Sequence, residues 1–300
     1  MNQIQIGIPD GSMQQKVERL FQNAGLPIQK GGDRVSEAFV DAQWVKQVIY
    51  QRPQELSTYL FRNHHDVALI GEDWAANCGL LGKFTVLATL PIGRGGNRPV
   101  RIVLAVPETS DVKRPEDLPR GCEIATEYVE LAMAYFERMG RGDIQVIRSW
   151  GKTEQKPKLF GLTGVIEVTE SGRSLRANGL KEVCLLMKSS LLIAANATSY
   201  QDSEKRRYID SLAKRIYGAY QASLYVSLTA NVPETKKDEA AETIGGMKGP
   251  NYSQNIGNGK GFCTLEATVL AEKEDGIILA LQKIGVEDIK VVRDIPLIMS

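Results

Sequence analysis

Short apolar strands alternate with amphipathic helices along most of this chain, and that alternation restricts it to an α/β fold with a largely parallel sheet. Residues 3–8 (QIQIGI) alternate at a period of two. The turn Pro9-Asp10-Gly11-Ser12 follows, and residues 13–24 then place Val17, Leu20 and Phe21 on one helical face. Residues 39–49 read as extended, 54–62 as a short helix after Pro53, and 67–70 as a buried strand entering Gly71-Glu72-Asp73. Strands at 84–90 and 101–106 flank a glycine-rich basic turn, 93–98. Residues 123–126, 128–139 and 144–150 then repeat strand, helix and strand. Pro107, Pro115 and Pro119 punctuate what reads as a crossing between two lobes.

The pattern changes character after the periodic helix 206–222. Strand-like 224–232, helical 234–244, alternating 261–270, helical 276–284 and strand-like 287–292 and 295–299 have the order of a compact βαββαβ module. The expected division is therefore one lobe from 1–105 with 185–222, a second from 106–184, and an appended module at 223–300.

With 37 Lys+Arg against 36 Asp+Glu, the formal net charge of +1 supplies no global field for nucleic acid or an anionic membrane surface. Any anionic ligand must be gripped locally. The longest apolar run, 185–195, is interrupted by Lys188 and two serines and is shorter than the roughly 20 residues a membrane span needs. The N-terminus lacks the pattern of a secretory signal, so a cytoplasmic location is expected. Four scattered cysteines and two adjacent histidines form no metal-binding spacing, and no metal ligand set is expected from the chain itself.

The segment 165–175 is the most informative chemically. An apolar strand carrying Glu167 ends in Glu170-Ser171-Gly172-Arg173-Ser174, followed by a helical turn. A glycine flanked by hydroxyls at a strand end offers N–H groups and hydroxyls to a phosphate, with Glu167 toward sugar hydroxyls. A plain Ser-Gly turn with a capping serine satisfies the same pattern.

The string GLTGVIEVTESGRSLRANGL resembles the phosphoribosyl-diphosphate signature of the ATP phosphoribosyltransferase family, most strongly at Gly161, Leu162, Ser171, Gly172, Ser174, Leu175 and 178–180. The segments IYQRPQELSTYLFRNHHDVALIGEDW and LPIGRGGNRPVRIVLAVPE resemble two further family segments. The tail from NVPETKK to DIKVV is similar to the histidine-sensing domain of long-form members. The resemblance covers essentially the whole chain.

It implies an α/β, two-lobed type II periplasmic-binding-protein-like catalytic unit plus a C-terminal βαββαβ ACT-like domain. It further implies transfer of phosphoribosyl from 5-phosphoribosyl diphosphate to N1 of ATP, the first step of histidine biosynthesis. Mg²⁺ would arrive through the substrate, histidine would inhibit at the tail, and the assembly would be a homo-oligomer, dimer or hexamer. By the same resemblance Glu167 and Arg52 are catalytic. Arg34, Glu72, Asp73, Glu154, Glu170, Ser171, Gly172, Arg173, Ser174, Asp10, Gly11 and Ser12 bind substrate.

Several motif positions depart from the family pattern. Asp10 and Ser12 stand where two cations would face phosphates, Thr163-Gly164 replaces Ala-Asp, and Glu127 replaces a lysine. Reversing charge beside a polyanion costs about 1–3 kcal/mol per lost charge-assisted bond. These departures keep two alternatives open: phosphoribosyl transfer to a less anionic nucleotide, nucleoside or base, and a catalytically silent ligand-binding regulator.

Overall fold

The structure, a computed structural model, describes residues 2–32, 36–93, 96–245, 251–254 and 261–293. Two compact units divide the chain, residues 1–19 with 27–213, and residues 20–26 with 214–300. In the first unit the strands are β1 (Ile4–Pro9), β2 (Gln29–Lys30), β3 (Glu37–Phe39), β4 (Val45–Gln51), β5 (Val67–Gly71), β6 (Thr85–Leu90), β7 (Val100–Pro107), β8 (Glu123–Thr126), β9 (Gln145–Arg148), β10 (Gly164–Thr169), β11 (Leu180–Ser189) and β12 (Leu191–Ala195). The helices are α1 (Gln14–Asn23), α2 (Pro53–Phe61), α3 (Glu72–Asn77), α4 (Val129–Arg138), α5 (Lys156–Phe160), α6 (Arg173–Ala177), α7 (Ala197–Gln201) and α8 (Ser203–Ser223), of which α1 from Leu20 and α8 from Lys214 belong to the second unit.

Two sheets result. The seven-stranded sheet runs β2-β3-β4-β1-β5-β12-β6, and the five-stranded sheet runs β11-β7-β10-β8-β9. Strand β1 is parallel to both β4 and β5, and β8 is parallel to both β9 and β10. These central strands are covered on both faces and so read as near-continuous apolar runs: all of Val67–Ile70 and Leu191–Ala195 is buried.

The strand pairing corrects two expected boundaries. Residues 105/106 and 184/185 fall inside β7 and β11. Strand β7 pairs with β10 from Arg101↔Thr169 to Ala105↔Val165 and with β11 from Leu180↔Pro107 to Ser189↔Val100. All of β7 therefore belongs to the second sheet. The apolar run 185–195 is two strands of different sheets with Ser190 between them, because β11 pairs with β7 while β12 pairs with β5 and β6. The extended segment 39–49 is likewise broken, since Val45 N–H donates to Ala42 O (2.9 Å) and turns the chain between β3 and β4.

In the second unit β13 (Tyr225–Pro233), α9 (Lys237–Ile244), β14 (Asn251–Gln254), β15 (Phe262–Leu270), α10 (Glu274–Lys283) and β16 (Glu287–Arg293) follow the expected βαββαβ order. They form an antiparallel sheet β14-β15-β13-β16. Alternate residues of β13 and β15 point inward, and Val226, Leu228, Val232 and Leu265 pack with Ile244 of α9 and Leu281 of α10. The strand expected at 295–299, and residues 246–250 and 255–260 of the histidine-sensing tail, lie outside the described residues.

Candidate active site

In open α/β sheets ligands bind beyond the carboxyl ends of the parallel strands. Here those ends carry nearly every residue singled out in the sequence. In the first sheet β1 leads into Asp10-Gly11-Ser12, β4 into Arg52 and β5 into Glu72-Asp73. In the second, β8 leads into Glu127, β9 into the segment holding Glu154, and β10 into Glu170–Ser174.

On the first sheet Pro9 pairs with Gln51 and Asp10 N–H donates to Gln51 O (2.9 Å), which places Asp10 beside Arg52. The Arg52 Nε lies 3.5 Å from Asp10 Oδ2, and the guanidinium is largely exposed. The second carboxylate oxygen, Asp10 Oδ1, is buried and meets no hydrogen-bond donor among the described residues. Pro53, at the first position of α2, lacks the N–H that would be unpaired there and fixes where Arg52 leaves the strand.

On the second sheet the loop after β10 is shaped by side chains around it. Gly172 has φ of +71°, and its N–H donates to Thr169 Oγ1 (3.0 Å). The left-handed backbone favours glycine here, and a Cβ at Gly172 would stand 2.7 Å from both Glu182 Oε1 and Arg176 Nη1 and push those side chains aside. Arg176 Nη2 donates to Ser171 O (2.9 Å). Arg101 donates to Glu182 Oε1 (2.9 Å) and reaches Glu170 O at 3.4 Å. The loop borders an open depression lined by Thr169, Glu170, Ser171, Arg173 and Ser174. Ser174 Oγ donates to Glu154 Oε1 at 3.5 Å, and the Glu154 turn is anchored by buried Thr153 against Ser149 Oγ (2.8 Å).

Glu167 sits one strand away from Glu127, because Ile166 of β10 pairs with Thr126 of β8. Burial pushes the Glu167 carboxyl up to about 7, and the neighbouring Glu127 and Glu154 carboxylates push in the same direction. The Val168 N–H bond to Oε1 (2.9 Å) opposes them. A carboxyl so placed exchanges its proton near neutral pH.

Asp73, which lines a pocket together with Ser12, Pro53 and Trp74, is held by hydrogen bonds within the protein. Its Oδ2 accepts from Tyr128 Oη (2.7 Å), its Oδ1 accepts from Ser189 Oγ (3.0 Å), and its own N–H donates to Ser189 Oγ (3.0 Å). Buried Asp73 thus ties α3 to the segment before α4, where Trp74 also packs on Tyr128 with centroids 4.5 Å apart. Glu72 Oε2 accepts from Ser190 N–H (3.2 Å) at the crossing between the sheets. Arg34 lies outside the described residues.

Sequence reasoning missed Thr169, Tyr128 and the Arg101–Glu182 pair. The last joins residues 81 apart and becomes visible only once β7 and β11 are in register. Lys16 was missed as well. From α1 it donates to Gly93 O and reaches Gly96 O at 3.4 Å, fixing the turn that leads into β7. Among the described residues no group of three or more His, Cys, Asp or Glu side chains is placed to hold a metal ion.

A carboxylate beside a hydroxyl-and-glycine loop, at the strand ends of a two-sheet α/β unit, is an arrangement that can hold a phosphate next to a sugar. The family profile HisG, ATP phosphoribosyltransferase, matches residues 52–218. The chain is 35% identical over 286 residues to an ATP phosphoribosyltransferase of Chlorobium phaeovibrioides, covering 95% of this chain and 94% of that one. It is 33% identical over 287 residues to that of Geotalea daltonii, covering 95% and 96%. The fold is shared with a chain of the ATP phosphoribosyl transferase (HisG:HisZ) complex from Thermotoga maritima, with a TM-score of 0.61, 20% identity, and coverage of 73% of this chain and 98% of that one.

The chain belongs to the ATP phosphoribosyltransferase family, whose members use 5-phosphoribosyl diphosphate and ATP in the first step of histidine biosynthesis. The family generally uses a divalent metal. Among the described residues no helix is long and apolar enough to cross a membrane.

Proposed function

We propose that this chain joins N1 of ATP to C1 of the phosphoribosyl group at the carboxyl ends of β1, β4, β8 and β10, and that histidine bound to the C-terminal unit inhibits it. The carrying observation is the convergence of Glu167, Glu154 and Ser174 on the loop whose Gly172 N–H is fixed by Thr169. In the step, the N1–C1 bond forms as the bond from C1 to the diphosphate oxygen breaks, and the electron pair leaves with diphosphate. Positive charge develops on the ribose, so a carboxylate at Glu167 and cations on the leaving group are what the reaction needs. Ser171, Gly172, Arg173 and Ser174 hold the 5-phosphate, Glu154 orients Ser174, and Arg52 serves the diphosphate.

Mg²⁺ is the divalent ion of this reading. Glu154 and Glu167 are the carboxylates beside the loop that would share the ion with substrate oxygens. When bound, it would supply positive charge to the leaving diphosphate. Residues up to 222 form the catalytic part and 223–300 the regulatory part of a cytoplasmic homo-oligomer, dimer or hexamer. Asp10, with its unpartnered Oδ1, favours a second reading in which a less anionic nucleotide, nucleoside or base is the better acceptor.

Diphosphate release from 5-phosphoribosyl diphosphate and Mg²⁺ tests both readings when ATP, ADP, AMP and adenosine are compared with and without histidine. Histidine-sensitive release with ATP, lowered at least 10-fold in Ser174→Ala, is expected. Preference for adenosine selects the second reading, and no release with any acceptor refutes both.

A further inference from the structure

The segment after β10, read as the seat of the donor's 5-phosphate, begins with an acid. A carboxylate at Glu170 repels a phosphate dianion held by Ser171, Gly172, Arg173 and Ser174 unless its charge is balanced and kept to one side. The structure shows where that carboxylate rests. A Cβ at Gly93 would stand 2.6 Å from Glu170 Oε1 and 2.9 Å from Arg98 O, so the carboxylate lies against the bare Cα of Gly93, in space that any side chain there would take. Gly93 itself is buried, and its N–H donates to Gly96 O (3.0 Å), which fixes its place.

Lys16 reaches the same point from α1. Its Nζ donates to Gly93 O and lies 3.4 Å from Gly96 O, and neither carbonyl carries a full charge to balance the ammonium. Burial holds the Lys16 ammonium below the usual lysine range, and the Glu170 charge acts in the opposite direction. A partly buried ammonium and a carboxylate thus share the neighbourhood of one glycine, and each lowers the cost of desolvating the other.

We infer that Lys16 is a positioning residue for the donor: it draws the Glu170 carboxylate back against Gly93 and so keeps the phosphate loop open to an anion. The inference rests on the phosphoribosyl-transfer reading and adds to it a residue that itself touches no substrate. A lysine that served only to shape the turn would act through the two carbonyls, and removing the Glu170 charge would not make good its loss. A lysine that balances Glu170 becomes dispensable once that charge is gone.

Steady-state kinetics and calorimetric titration with 5-phosphoribosyl diphosphate are run on the full chain as wild type, as Lys16→Met, and as Lys16→Met combined with Glu170→Gln, with ribose 5-phosphate as a second probe of the loop. In Lys16→Met, KM for the donor and the Kd of both probes should rise on the order of 10-fold with KM for ATP unchanged, because a carboxylate without the ammonium beside it confronts the 5-phosphate. The double variant should recover most of that loss. Lys16→Gln keeps an N–H for the carbonyls without the charge; it should match Lys16→Met, and takes its place if that variant does not fold. Unchanged donor affinity in the single variants, or a double variant as weak as Lys16→Met, overturns the assignment and leaves the transfer reading intact. The expected order of ribose 5-phosphate affinities in a protein that releases no diphosphate supports the positioning role and refutes the transfer reading instead.

Discussion

Replacing Glu167 by Gln should make the folded protein more stable at high pH and leave it nearly unchanged at low pH. Burial and two neighbouring carboxylates raise the Glu167 carboxyl from the usual 4.5 to about 7. Each pH unit of that difference corresponds to about 1.36 kcal/mol, so ionising Glu167 costs the folded state on the order of 3 kcal/mol. Between the two values the folded chain holds a proton that the unfolded chain has released. Stability therefore falls as pH rises from about 4.5 to about 7, and the full cost persists above that. Gln carries no proton to lose and has nearly the same shape.

The assay is urea unfolding of wild type and Glu167→Gln at pH 5.0 and pH 8.5, taking the difference between the two proteins at each pH so that every other titrating group cancels. The variant's advantage should be small at pH 5.0 and about 2–3 kcal/mol larger at pH 8.5. An advantage equal at both pH values would refute the assignment of a strained carboxylate to this position. A variant that loses ground as pH rises would mean that Glu167 is stabilised as an anion, its hydrogen bonds from Val168 N–H and Thr153 outweighing burial. Catalysis should fall in the same variant, because the ribose loses its carboxylate.

Two further substitutions probe how the site is held. Gly172→Ala imposes a left-handed backbone on a Cβ-bearing residue, at about 1–2 kcal/mol, and drives that Cβ to 2.7 Å from Glu182 Oε1 and Arg176 Nη1. Steady-state kinetics should show KM for 5-phosphoribosyl diphosphate raised at least 10-fold with KM for ATP unaltered, and an unaltered donor KM would remove the loop from the phosphate site. Tyr128→Phe deprives buried Asp73 Oδ2 of its 2.7 Å donor, a loss of about 1–3 kcal/mol. Calorimetry should record a melting temperature lowered by several degrees, and an unchanged one would show that the tie between α3 and α4 carries no load.

What could be read from the sequence was whatever is local. A period of two and a proline after it are enough to place β1, α2 and β5, and the order of the C-terminal module needs only the alternation of its six elements. The loop after β10 was legible for the same reason, since its glycine, hydroxyls and following helical turn are consecutive. Sheet membership was not legible. Nothing in Leu191–Ala195 or in the strand just before it says that Ser190 separates two sheets, because buried strands of either sheet are equally apolar. The family resemblance assigns Asp73 to substrate through its Gly-x-Asp turn, but it says nothing of the hydrogen bonds Asp73 makes within the protein. Its partners, Tyr128 and Ser189, are 55 and 116 residues away.

The cations around the phosphate loop show how the site divides its work. Arg101 is engaged with Glu182, Arg176 Nη2 with Ser171 O, and Lys16 with the Gly93 carbonyl, so each of these charges is already committed to shaping backbone. A Cβ at Gly93 would meet Glu170 Oε1 at 2.6 Å, which shows how closely the turn held by Lys16 approaches the phosphate loop. On the proposed reading, a phosphate entering that loop meets hydroxyls on a backbone already held in place, and such a grip loses little to reorganisation on binding. It is also screened less by salt than a grip made of exposed lysines would be. The reversed charge at Asp10 then becomes intelligible on the same physics. On the proposed reading Arg173 stays with the 5-phosphate, so the acid on the opposite sheet that pairs with Arg52 acts on the diphosphate and the acceptor.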